Sequence, residues 1–84
     1  MTLQEFLKLD IIEQSDAVFE LAVNVDERWD GIFKYNLYQL NSFYIEKKYE
    51  ISSGSMIGLS AFESSSSILD LYTNHISLKT LFDE

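Results

Sequence analysis

Residues 32–51 read IFKYNLYQLNSFYIEKKYEI, and how this stretch is paired decides the fold. It holds two of the six Phe and four of the five Tyr of the chain. Aromatic residues favour a pleated, half-buried surface, so the stretch predicts two β-strands joined at Asn41-Ser42. A two-residue turn there pairs Leu40 with Phe43 and Tyr38 with Ile45. It also sets Phe33, Tyr35 and Leu37 opposite Glu50, Lys48 and Glu46, which mixes one face. A three-residue loop with a bulge instead groups Phe33, Tyr35 and Leu37 with Phe43, Ile45 and Tyr49, and is the preferred register. Tyr38 and Tyr44 then share the wetter face, while Gln39 and Lys47 must reach the edge of the drier one.

Upstream, Thr2 and Glu5 have capping-box spacing ahead of Leu3, Phe6 and Leu7, which predicts a helix from about Leu3 to Leu9. Asp10 can cap a second, brief helix in which Ile11 or Ile12 and Ala17 face the core. From Phe19 the period changes. Phe19, Leu21, Val23 and Val25 alternate with Glu20, Ala22, Asn24 and Asp26, which predicts a strand from Phe19 to Asp26. The competing reading extends the second helix to Val23. Asp26 to Gly31 then forms a polar turn closed by Asp-Gly, with Trp29 inside it.

Downstream, Ser52 to Ser55 reads as a turn and Met56 to Phe62 as a further hairpin-connected strand, with Gly58 tolerable at an edge or bulge. A serine among Ser64 to Ser67 caps a terminal helix carrying Ile68, Leu69, Leu71 and Tyr72, which ends near Asn74 or His75. Ile76 to Glu84 adds one more turn, with Leu78, Leu81 and Phe82 as its apolar contacts. Parallel crossovers need long connections that are absent. The expected fold is therefore α+β: one domain over residues 1–84, an antiparallel β-meander of three to four strands with N-terminal and C-terminal helices on one face.

Composition narrows function more than any motif does. The chain has 84 residues, 46% of them hydrophobic, and a formal net charge of -8. That size sits near the lower limit for a single unstapled core. It contains no cysteine, which removes disulfides, thiolate metal sites and Cys nucleophiles and fits a reducing compartment. No basic n-region precedes an apolar run, and Ile51 to Phe62, the longest stretch without a charge, is broken by serines and glycines. A cytoplasmic protein with no membrane association is the expectation. Six basic residues against fourteen acidic ones argue against nucleic-acid backbone binding. Residues 1–31 carry a net -6, residues 32–62 a net +1 and the remainder -3, so the acidity lies outside the hairpin region.

No nucleotide-binding, metalloprotease or serine-hydrolase motif is present. The single histidine, His75, has no neighbours at metal-ligand spacing and reads as a helix-end or surface residue. Asp26, Glu27 and Asp30 cluster in one turn but lack the ligand alternation of a calcium loop. Neither a cofactor nor a metal is expected. The candidate contact residues are Trp29, Tyr38 and Tyr44, as aromatics of a protein-binding face, and Asp26, Glu27 and Asp30, as an acidic surface facing a basic partner. Core packing and solvation explain the same residues without a partner.

The combination of Thr2 to Leu9, Tyr38 to Leu40 and Phe43-Tyr44, with a looser match over Leu69 to Tyr72, resembles a set of small uncharacterised bacterial proteins. In these a leading helix precedes a β-meander and a short C-terminal helix. The resemblance implies that fold and carries no activity or catalytic residue. The functional expectation is a non-enzymatic protein-interaction or regulatory module, with a homodimer through the wetter face as one form of it. The alternative is an acidic inhibitor of a basic target, either a nucleic-acid mimic or an immunity-type protein, and a small enzyme is the remote third.

Overall fold

The structure is a computed structural model and describes residues 1–72. Helix α1 (Leu3–Leu7) and helix α2 (Ile11–Leu21) lead into strands β1 (Val23–Asp30), β2 (Phe33–Leu40), β3 (Phe43–Glu50) and β4 (Met56–Glu63). A 3-10 helix follows (Ser67–Tyr72). The strands form one antiparallel sheet in the order β1-β2-β3-β4. The α+β meander expected from the sequence is present. The placement of His75, the end of the terminal helix near Asn74 or His75, and the turn from Ile76 to Glu84 lie outside the described residues.

Both leading helices start at capping boxes. Thr2 Oγ1 accepts from the Glu5 amide at 3.2 Å and Glu5 Oε1 from the Thr2 amide at 2.7 Å; Asp10 and Glu13 repeat the exchange at 2.8 and 3.0 Å. Each box satisfies helix amides that have no intrahelical acceptor. The backbone bond to Thr2 holds the Glu5 carboxyl below its usual range.

The expected strand from Phe19 to Asp26 is corrected, because α2 continues to Leu21. Ala17 and Val18 are the residues it buries, and Gln14 Nε2 donates to the Phe6 carbonyl at 3.1 Å from the same side. Phe19 points outward and is 87% exposed. The alternation of Phe19, Leu21, Val23 and Val25 therefore straddles a helix end and a strand start. The expected turn from Asp26 to Gly31 is also corrected. Those residues up to Asp30 belong to β1, and the turn is Gly31-Ile32, with Gly31 at φ 62°.

The preferred hairpin register is overturned. Leu40 pairs with Phe43, Tyr38 with Ile45, Tyr35 with Lys48 and Leu37 with Glu46, which is the two-residue register. Asn41 takes up a left-handed φ of 53° at the turn, a conformation asparagine tolerates better than most residues. The mixed face that argued against this register is accommodated by its cover. Glu46 meets Arg28 at 3.4 Å and the Tyr72 hydroxyl at 2.8 Å, and Lys48 lies 4.0 Å from the centre of the Phe33 ring.

Both faces of the sheet are covered, so the expectation of helices on a single face is corrected. On one face α1 and α2 close over Leu40, Phe43 and Ile45, with Phe6 and Phe43 rings 5.5 Å apart. On the other, the 3-10 helix packs Tyr72, Ile68 and Leu69 against Leu37, Phe62 and Tyr44. Ser66 Oγ accepts from the Ile68 amide at 3.2 Å and starts that turn. Two small cores on opposite faces bury Leu40, Phe43 and Ile45 on one side and Leu37 and Phe62 on the other. Burying each large side chain there contributes roughly 1.5–3 kcal/mol.

Candidate functional site

The two leading helices are short, and they cover only the half of their face nearest the Asn41-Ser42 turn. Register places Glu27 and Trp29 of β1, Lys34 and Asn36 of β2, and Lys47 and Tyr49 of β3 on the other half of that same face. A concavity of about 310 Å³ opens there, lined by Trp29, Lys34, Asn36, Tyr49, Glu50, Ile51 and Gly54. Trp29 is 58% exposed, and Ile51 is exposed beside it. The loop that carries Ile51 and Gly54 is held by two backbone bonds, from the Gly54 amide to the Glu50 carbonyl at 2.8 Å and from the Glu50 amide to the Ser55 carbonyl at 2.9 Å. Gly54 has φ 72°, which a residue with a side chain rarely adopts. Ile51 is tied across to β2 by its amide, which donates to the Ile32 carbonyl at 2.9 Å.

Charge in the groove is arranged around one lysine. Lys34 Nζ lies 3.4 Å from Glu27 Oε2 and 5.3 Å from the centre of the Trp29 ring. Glu50 accepts from the Ser53 hydroxyl at 2.8 Å. Asn36 Oδ1 is buried and meets no protein donor. A buried acceptor left unpaired costs about 1–3 kcal/mol, which makes Asn36 a point of unmet hydrogen bonding beneath the groove. The Tyr49 hydroxyl is pushed up from its ordinary range, first by burial and then by the neighbouring Tyr38 phenol. The arrangement suits an apolar side chain lying against Trp29 and Ile51. Among the described residues no three His, Cys, Asp or Glu side chains converge as a metal site.

The six residues singled out from the sequence are not one patch. Trp29 lines the groove and Glu27 lies on the same face, paired with Lys34, whereas Asp26 and Asp30 fall on the opposite face. Asp26 Oδ1 accepts from the Glu27 amide at 2.8 Å, beside the bulge at which β1 shifts register. The wetter face that was to hold Tyr38 and Tyr44 together does not exist. Tyr38 packs against the helix-side core with Lys47 Nζ 5.5 Å from its ring centre. Tyr44 stacks on Phe62 on the opposite face, ring centres 6.4 Å apart. Asn36, Tyr49 and Ile51 were missed. Only the correct register and the course of the Ile51–Ser55 turn bring them next to Trp29.

The opposite face carries the most buried charge. Glu46 is 8% exposed and accepts from Tyr72 and Arg28. The Arg28 guanidinium lies 3.8 Å from the centre of the Tyr35 ring and 5.4 Å from that of Tyr72. Cation, carboxylate and two rings form a stack that acts as a structural clasp. Among the described residues no helix is long and apolar enough to cross a membrane. Compared with family models, with curated proteins and with solved structures, the chain finds no match.

Proposed function

We propose that this chain is a protein-interaction module whose contact is the Trp29 groove. The observation that carries the reading is the juxtaposition of an exposed Trp29 and an exposed Ile51 at one concavity. Exposed aromatics centred on a desolvated pocket are the residues that dominate protein contacts. The partner supplies an apolar side chain. The lining carries both Lys34 and Glu50, and Glu27 is paired with Lys34, so a preference for a basic partner rests on the chain charge of -8 alone.

A photo-crosslinking residue at position 29, expressed in the source cell, tests this directly. One defined adduct is expected from position 29 and none from position 64, at the far end of the sheet. The adduct should disappear with Ile51→Asp while the circular dichroism spectrum is retained. Equal labelling from both positions, or an adduct indifferent to Ile51→Asp, would overturn the reading. With the partner in hand, Trp29→Ala should weaken binding at least about 30-fold, the cost of losing an aromatic anchor of roughly 2 kcal/mol.

A second reading rests on the outward side of α2, where Asp16 and Glu20 flank the exposed Ile12 and Phe19. An acidic inhibitor of a basic protein would use that surface. Its binding would fall steeply with salt, whereas binding at the groove is dominated by apolar contact.

A further inference from the structure

The outward side of α2 breaks the local rules that its capped start obeys. Ile12 and Phe19 are 70% and 87% exposed. Seven residues is close to two helical turns, so the two side chains share one stripe about 10 Å long. Asp16 and Glu20 lie on one flank of that stripe, both exposed, and are four residues apart, a spacing at which like charges repel on a helix. Glu20 also sits in the last turn, where the helix dipole disfavours an anion and no basic residue offsets it. From Ile11 to Leu21 the helix has no lysine or arginine, and among the described residues neither Asp16 nor Glu20 makes an ion pair. Exposed apolar surface, like-charge repulsion and an unfavourable dipole thus fall on one side of one helix, and a single partner relieves all three. Functional sites are where local rules are broken in this way.

We propose that this stripe docks a basic amphipathic helix of a partner, with the partner's apolar side chains on Ile12 and Phe19 and its lysines or arginines against Asp16 and Glu20. The contact rests on the second reading above, α2 as a surface for a basic protein, and is separate from the Trp29 groove. The backbone selects a helix. Along the middle of α2 the amides and carbonyls bond to one another, so its outward side offers side chains alone. An extended segment laid on it would lose water from its own amides and gain no partner for them, whereas a helix arrives with its backbone satisfied. Apolar residues at i and i+7 of that helix match the spacing of Ile12 and Phe19 when the two axes run nearly side by side. Charge selects a basic helix, by the complementarity that fixes partner choice in protein contacts. It also selects against a second copy, because α1 carries Glu5, α2 repeats the same acids and the 3-10 helix carries Asp70, so no described helix of this chain is basic. The same carboxylates repel the phosphates of nucleic acids.

The probe is a synthetic peptide of leucine and lysine, roughly 15 residues long, with its leucines on one helical face, beside a scrambled peptide of the same composition. Added to the isotope-labelled full chain, the amphipathic peptide should shift the amide resonances of α2 and gain helical circular dichroism, and the scrambled one should do neither. Binding should weaken at least about tenfold with Phe19→Ser, and again with Asp16→Asn and Glu20→Gln together, while Trp29→Ala leaves it unchanged. Both sets of substitutions replace exposed side chains, so the spectrum of the free chain should be retained. Equal binding by the scrambled peptide would overturn the helix and leave the acidic surface standing; binding by neither would overturn both. Shifts centred on Trp29 in place of α2 would also overturn the proposal. So would a wild-type dimer in sedimentation equilibrium that Phe19→Ser dissociates, because the stripe would then belong to a second copy.

Discussion

Tyr72→Phe removes one oxygen atom and, with it, the bond that closes the second face of the sheet. The ring is 1% exposed and packs on Leu37 and Phe62, contacts that phenylalanine keeps. What disappears is the 2.8 Å bond from the Tyr72 hydroxyl to Glu46 Oε2. Glu46 is then left with Arg28 alone, at 3.4 Å, in a site where the two side chains are 18% and 10% exposed. A hydrogen bond to a charged group contributes about 1.5–3 kcal/mol, and a carboxylate stripped of a partner in a buried site keeps its desolvation cost. The expected loss is about 2 kcal/mol. For a domain of 84 residues, that corresponds to a fall in Tm of roughly 8–16 °C. In urea the midpoint should drop by about 1–2 M with an unchanged slope. Tyr44→Phe is the control, since its ring stacks on Phe62 and its hydroxyl makes no such bond; it should move stability by less than about 0.5 kcal/mol. A double-mutant cycle with Glu46→Gln should return a coupling of about 1–2 kcal/mol. If Tyr72→Phe matches wild type within about 0.5 kcal/mol, the clasp is not a stabilising element and the burial of Glu46 needs another account.

Other expectations follow from single features. Burial, and then the bond to Glu46, raises the Tyr72 hydroxyl above its ordinary value of 10.0. The stability it contributes is complete below about pH 10 and is lost as pH rises from there toward the folded-state value, because the unfolded chain ionises first. Alkaline denaturation followed by tyrosinate absorbance should show this tyrosine ionising with unfolding, and Tyr72→Phe should flatten that part of the pH profile. Asn41 holds φ 53° and donates through Nδ2 to the Met1 carbonyl at 2.9 Å, so Asn41→Ala should cost about 1–2 kcal/mol in urea titration. Asn41→Gly should cost less, because glycine keeps the turn conformation. Phe6 is fully buried between the helices and β3, and Phe6→Ala should cost about 3–5 kcal/mol, enough to unfold so small a domain by calorimetry. Asp10→Ala removes one side of the α2 capping box and should lower stability by about 1 kcal/mol.

What could be read in advance was whatever is set by neighbours in the chain. The Thr2–Glu5 pair marks α1, Asp10 marks α2, the Ser52–Ser55 cluster separates β3 from β4, and a serine starts the last helical turn, all through local hydrogen bonds. Features set across the sheet were not legible. Phe19 and Leu21 fit a strand alternation equally well, and only the packing of Ala17 and Val18 on the sheet decides for a helix. The hairpin register turned on Leu37 facing Glu46, which looked unfavourable until Arg28 and Tyr72, distant in sequence, closed over the carboxylate. The same error put Tyr38 and Tyr44 on one face. For the groove, Trp29 was visible as an aromatic with an uncertain burial partner, but Asn36, Tyr49 and Ile51 became its neighbours only through that register and turn.

The separation of the two cores sets an order on synthesis. Residues 1–22, which cover the helix-side face, leave the ribosome before any strand, so that face can close as soon as β2, β3 and β4 pair. The cover of the other face lies beyond β4, at Ile68, Leu69 and Tyr72. Until it emerges, a nascent chain carrying the finished sheet presents Leu37, Tyr44 and Phe62 to solvent and holds Glu46 with Arg28 alone. Exposed apolar surface of this kind is what chaperones and aggregating neighbours bind. Ribosome-bound chains arrested through a C-terminal linker at the length where Glu63 has just cleared the exit tunnel should therefore be trapped by a holdase, and chains arrested once Tyr72 has cleared it should be released.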